Sequence, residues 1–189
     1  TVLKQSIEVR RSVKNLLLCV LASGLIAFEA TSLEVGDVAP DFALEGTDGQ
    51  IHRLSDYRGE KAVVIAWFPK AYTRGCTIEC KSLAENGHLI KAYDVAYFMA
   101  SVDPIEDNVG FAEQTKADFP LLSDPSKQTA RAYDVLSDRG TAMRHTYYIG
   151  VNGRVLAVDK QVKPATSAQD MAAMLGQLGV TEVNAENAD

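Results

Sequence analysis

Cysteine is scarce in this sequence: 189 residues hold three. That excludes the disulfide lattice by which small exported domains make up for a thin core. Positive charge is the minority sign, with 19 Lys and Arg against 25 Asp and Glu and a formal net charge of -6. No basic run is long enough to grip a polyanion, which excludes nucleic acid as a partner. A long hydrophobic run is missing too, because the most apolar stretch, residues 16–28, falls short of the roughly 20 residues that a membrane-spanning helix needs. No stable membrane anchor is therefore expected. Internal repeats, low-complexity tracts and linkers are absent as well. What is left, 47% hydrophobic and 23% charged, reads as one globular domain with a continuous core.

The N-terminal stretch has its own character. Lys4, Arg10, Arg11 and Lys14 precede the apolar run, and Ala30, Thr31 and Ser32 follow it. Charged, then apolar, then small is the layout of a secretory signal, so residues 1–32 are expected to be a signal peptide and the protein to be exported, periplasmic or secreted. Cys19 lies inside the apolar run behind Leu18, where a lipoprotein signal would carry a small residue. The apolar run also lacks the polar face of an amphipathic helix packed on the domain. The domain that remains after residue 32 is acidic and keeps Cys76 and Cys80.

From residue 35 the chain reads as a loop entering a short strand, with Thr47, Asp48, Gly49 and Gln50 as a turn before residues 51–54. A β-hairpin is expected to open the domain. Residues 61–68 form an apolar, β-branched run, as in a strand covered on both faces, and Pro69 ends it. Cys76, Cys80, Leu83 and Ile90 then recur at helical spacing, interrupted by Asn86 and Gly87. A second buried strand over 95–102 follows, then a helix over 106–116, the segment Phe119, Pro120, Leu121, Leu122, and a short helix over 126–133. Residues 145–149 and 154–158 flank the turn signal Val151, Asn152, Gly153 and predict an antiparallel return. A helix over 168–178 closes a domain spanning 33–180, and residues 181–189 read as a loose polar tail. The class is α/β, with the element order of a thioredoxin-like fold: a mixed central sheet flanked by helices, preceded by a hairpin.

A cysteine is nucleophilic as its thiolate, which the unpaired amides and macrodipole at a helix N-terminus favour. Cys76 is predicted at that position. The segment Pro69-Lys-Ala-Tyr-Thr73-Arg-Gly-Cys76 resembles the peroxidatic segment of peroxiredoxins, in which Pro, Thr and Cys stand at these offsets. Extended to Phe68 and Glu79, it resembles the bacterioferritin-comigratory or Q-type branch of that family, over residues 33–179. The resemblance implies a thiol peroxidase without cofactor or metal. Its substrates would be hydrogen peroxide and organic hydroperoxides, and its reductant a thioredoxin-like or other thiol. It implies that Cys76 attacks a peroxide oxygen and becomes a sulfenic acid. Thr73 would accept a hydrogen bond from the peroxide while donating toward the sulfur. Pro69 would shield the thiolate, Arg144 would stabilise it together with the leaving oxygen, and Glu79 would hold the arginine fork.

Cys80 departs from the pattern. Many Q-type members carry a second, resolving cysteine five residues after the first, but Cys80 is four residues after Cys76. On an intact helix i and i+4 Cβ atoms stand roughly 5 to 6 Å apart, against the roughly 3.5 to 4.5 Å of a disulfide. Either the helix unwinds locally for Cys80 to resolve Cys76, or Cys80 is a buried helical thiol and an external thiol does that work. Two rivals use the same cysteines. A Cu(I)-binding metallochaperone of thioredoxin fold would add a histidine such as His145, although Lys81 stands where that family has proline. A disulfide oxidoreductase would need two residues between its cysteines rather than three. His52 and His88 show no ligand spacing.

Overall fold

In the computed structural model the described residues are 32–183. The expected signal segment, Cys19 with it, and residues 184–189 lie outside them.

The sheet is built around β3 (Ala62–Trp67), all six residues of which are buried. Its side chains alternate between two cores, as the period of 2 requires. Val63, Ile65 and Trp67 face one cluster, with Phe98, Tyr133 and Tyr147, while Val64, Ala66 and Phe68 face the other, with Cys76, Cys80, Phe111 and Met171. Each large apolar side chain enclosed in this way contributes on the order of 1.5–3 kcal/mol relative to exposure. A strand covered on both faces must be apolar throughout, which is why residues 62–68 read as one run.

β3 pairs parallel with β4 (Val95–Ser101) and antiparallel with β6 (Thr146–Ile149), which pairs with β7 (Val155–Asp159). The opening hairpin of β1 (Ala43–Gly46) and β2 (Ile51–Arg53) joins the far edge. The full order is β2-β1-β5-β4-β3-β6-β7. Helices α1 (Arg74–Asn86), α2 (His88–Lys91), α3 (Ile105–Thr115) and α5 (Ser167–Gln177) supply the side chains of the second core, and α4 (Gln128–Ala132) belongs to the first. Among the described residues no helix is long and apolar enough to cross a membrane.

The sequence did not identify β5 (Leu121–Ser123), which pairs parallel with β4 and antiparallel with β1. Three residues following Pro120 are too few for a period to be counted, and only the gap between β4 and β1 makes them a strand. Residues 181–183, expected in a loose tail, are paired. Asp94 N–H donates to Thr181 C=O at 2.8 Å and Val183 N–H to Ala92 C=O at 2.8 Å, so residues 181–183 pair with the chain entering β4. Backbone pairing is indifferent to the polar side chains that suggested a loose end.

Candidate active site

At the end of β3, Phe68 N–H still donates to Ala100 C=O at 2.9 Å. Pro69, half-buried, has no N–H to continue the ladder, and the chain turns through residues 69–73 into α1. Ala71 N–H donates to Asp103 Oδ2 at 2.8 Å, and Lys70 Nζ lies 3.2 Å from Asp103 Oδ1. Tyr72 takes a left-handed backbone with φ 65, uncommon for an aromatic residue.

Thr73 is the N-cap of α1, but its side chain makes no capping bond. The first intrahelical bond runs from Thr77 N–H to Thr73 C=O at 2.9 Å, which leaves the N–H groups of Arg74, Gly75 and Cys76 without an intrahelical acceptor. Cys76 thus sits in the first turn, where negative charge is favoured. The Thr73 hydroxyl donates to Lys70 C=O at 3.0 Å. This corrects the expected donation toward the sulfur: the hydroxyl's one proton closes the turn, and its lone pairs stay free to accept.

Arg144 comes from the other side of β3. The antiparallel register sets Ala66 opposite Thr146, and Trp67 N–H donates to His145 C=O at 2.8 Å. Arg144 is the next residue along and arrives where β3 gives way to the loop. Its Nη2 donates to Cys76 Sγ at 3.2 Å and its Nη1 pairs with the Glu79 carboxylate. A Cβ on Gly75 would stand 3.2 Å from Nη2, so the bare glycine lets the guanidinium lie against the helix start. Glu79 is 0% exposed and the Arg144 side chain 20%, which keeps the ion pair largely out of water and strengthens it. Cys76 is also fully buried. A peroxide therefore reaches the sulfur only when a neighbouring side chain moves; Thr73 and Arg74, just before it in the chain, are exposed.

Cys80 is buried and faces α3, its Sγ 3.1 Å from Thr115 Oγ1. The Thr115 hydroxyl already donates to Phe111 C=O at 2.7 Å, so the Cys80 S–H is the donor of the pair. Burial pushes the Cys80 thiol up to about 11, offset in part because the Thr115 hydroxyl can turn to donate to the thiolate once the proton is lost. Neither Cys76 nor Cys80 is in a disulfide. His145 has its pKa lowered chiefly by burial, and no group of three metal-ligating side chains is assembled among the described residues. Asp103 is the residue of this site that no motif or period pointed to.

A thioredoxin-like sheet with a cysteine opening a helix under an arginine defines a thiol-based redox protein. The model of the AhpC/TSA family matches residues 35–158. Peroxiredoxin Bcp of Escherichia coli (strain K12) is 35% identical over 115 residues, 61% of this chain and 72% of that protein. Alkyl hydroperoxide reductase E of Mycobacterium tuberculosis (strain ATCC 25618 / H37Rv) is 36% identical over 124 residues, 64% of this chain and 81% of that protein. Among solved structures, peroxidoxin BcpB from Mycobacterium tuberculosis superposes with a TM-score of 0.70 at 28% identity, covering 77% of this chain and 97% of that one. The chain belongs to the AhpC/TSA family and, within it, is a peroxiredoxin of the bacterioferritin-comigratory or Q type. This overturns the copper-metallochaperone alternative.

Proposed function

We propose that Cys76 is the sulfur through which this peroxiredoxin reduces hydrogen peroxide and alkyl hydroperoxides. The thiolate attacks one peroxide oxygen, the O–O bond breaks, and Cys76 becomes a sulfenic acid. The other oxygen leaves with the bonding electron pair and takes up a proton, as water or an alcohol. The observation that carries this reading is the 3.2 Å contact between Arg144 Nη2 and Cys76 Sγ in the first turn of α1. A fixed cation there favours the thiolate and the charge developing on the leaving oxygen. The free lone pairs of Thr73 suit the peroxide O–H, Pro69 limits water at the loop, and Glu79 holds the guanidinium. The name of the mycobacterial relative, an alkyl hydroperoxide reductase, supports the inclusion of alkyl hydroperoxides.

An external thiol, such as that of a thioredoxin-like reductant, resolves the sulfenic acid, forming a mixed disulfide and water; exchange with a second thiol then frees Cys76. Cys80 suits the resolving role poorly, because a thiol pushed up to about 11 is a thiolate in very small fraction at neutral pH. Mass spectrometry of the peroxide-treated protein is expected to find one added oxygen on Cys76, and Cys80→Ala should keep full turnover with a dithiol reductant. A Cys76 to Cys80 disulfide as the main product would refute external resolution.

The charged, apolar and small segments of residues 1–32 support export. Cell fractionation should find the protein outside the cytoplasm with a new N-terminus near Ser32, and a cytoplasmic protein retaining residues 1–32 would contradict this.

A further inference from the structure

Asp103 has no part in the reaction above, yet it reaches back to the loop that carries it. It lies two residues beyond the end of β4 and is 5% exposed. Its Oδ2 accepts the Ala71 N–H and its Oδ1 faces the Lys70 ammonium. The aspartate is itself held on two sides. Its N–H donates to Ser101 Oγ at 3.1 Å, and the Ser123 hydroxyl of β5 donates to its C=O at 2.5 Å. The Ser101 hydroxyl in turn donates to Asn108 Oδ1 of α3 at 3.1 Å. A buried polar network satisfied in this way is rigid.

The loop has little else to fix it. The last sheet bond of β3 is made by Phe68 N–H, and the first helical bond of α1 by Thr77 N–H. Between them, among the described residues, Ala71 N–H to Asp103 is the hydrogen bond that ties a backbone group of residues 69–72 to another element. The bond from Thr73 to Lys70 C=O closes the turn on itself. Tyr72 sits between the two in a left-handed conformation that persists only where the surroundings hold it. Asp103 holds the preceding amide, and Phe111 packs on the Tyr72 ring at 5.5 Å between centroids.

We propose that Asp103 is a positioning residue for peroxide reduction: by holding the Ala71 amide it fixes the turn from Pro69 to Thr73 at the start of the Cys76 helix. The inference rests on the reading of Cys76 as the attacking sulfur. Attack on a peroxide needs the hydroxyl of Thr73 placed on the substrate as well as a thiolate, and a misplacement of about 1 Å costs about 100-fold. Alkylation of the same sulfur by iodoacetamide needs the thiolate and access but no such placement, so the two reactions separate positioning from general damage.

Asp103→Ala is expected to lower the second-order rate constant with hydrogen peroxide about 10- to 100-fold while changing iodoacetamide alkylation of Cys76 less than about 3-fold. Asp103→Asn, which keeps an oxygen for the Ala71 N–H, should restore the peroxide rate to within about 3-fold of wild type. Should the alanine variant fail to fold, Asp103→Ser, polar but too short to reach Ala71, carries the same comparison. Proportional loss in both reactions, a wild-type peroxide rate in Asp103→Ala or Asp103→Ser, or an asparagine variant no better than these, would overturn the proposal. A wild-type protein that consumes no peroxide would instead overturn the reading of Cys76, so the two failures are distinct.

Discussion

Cys76→Ser lowers the rate constant for hydrogen peroxide consumption by about four orders of magnitude or more, the expected effect of removing a nucleophile that nothing nearby replaces. A thiol is partly ionised near neutral pH even at its ordinary pKa, whereas a hydroxyl attacks only with a base to take its proton. The group touching the Cys76 sulfur is the Arg144 guanidinium, which has donors and no acceptor. Glu79 is engaged with that same cation. A serine at this position gains a hydrogen bond from Arg144 and no route to an alkoxide, so the variant keeps its fold and loses its chemistry. Stopped-flow measurement of peroxide loss, with circular dichroism to verify the fold, reads this directly. Activity above about a hundredth of wild type in Cys76→Ser, abolished by a further Cys80→Ala, would move the reaction to the other sulfur.

Replacing Arg144 with methionine acts on rate and stability at once. The rate constant with peroxide falls about 100- to 1,000-fold, the scale set by removing one fixed donor from a developing negative charge. Stability falls by about 3–5 kcal/mol, because Glu79 is fully buried and its carboxylate loses its counter-ion. The two effects come apart in Arg144→Met with Glu79→Gln. Removing both charges leaves no buried ion, so denaturant unfolding should recover most of the stability while the peroxide rate stays low. The pH dependence carries a sign of its own. In Arg144→Met the unpartnered, desolvated Glu79 is costly as a carboxylate and not as the neutral acid. Its protonated form is then tolerated, and the stability deficit against wild type is small at acid pH and grows as pH rises. A deficit independent of pH, or a double variant as unstable as Arg144→Met, would show that Glu79 does not carry this charge.

Much of this arrangement was legible before any coordinates. A strand buried on both faces has no polar position to spare, so residues 62–68 announce the centre of the sheet. The spacing of Pro69, Thr73 and Cys76 marks a loop that opens a helix, and β4, α3, the β6–β7 return and α5 fall within a residue or two of their predicted bounds. These signals are local: each is a hydrophobic period, a turn residue or a short spacing that one stretch of chain expresses alone.

The amino-acid sequence by itself determined the order of elements apart from β5, the helix-opening cysteine and, Asp103 excepted, the residues gathered around it. Only the tertiary structure decided how those residues are used. Arg144 meets Cys76 because the register of β6 on β3 carries it to the loop. The Thr73 proton goes to Lys70 rather than to sulfur, and Cys80 is turned to Thr115 with its thiol pushed up to about 11. Leu121–Ser123 is a strand because β1 and β4 leave a slot for it, and Asp103 matters because it stands beside the Ala71 amide. Each of these depends on burial and on hydrogen bonds between residues distant in sequence, and a pattern read along the chain has no access to those distances.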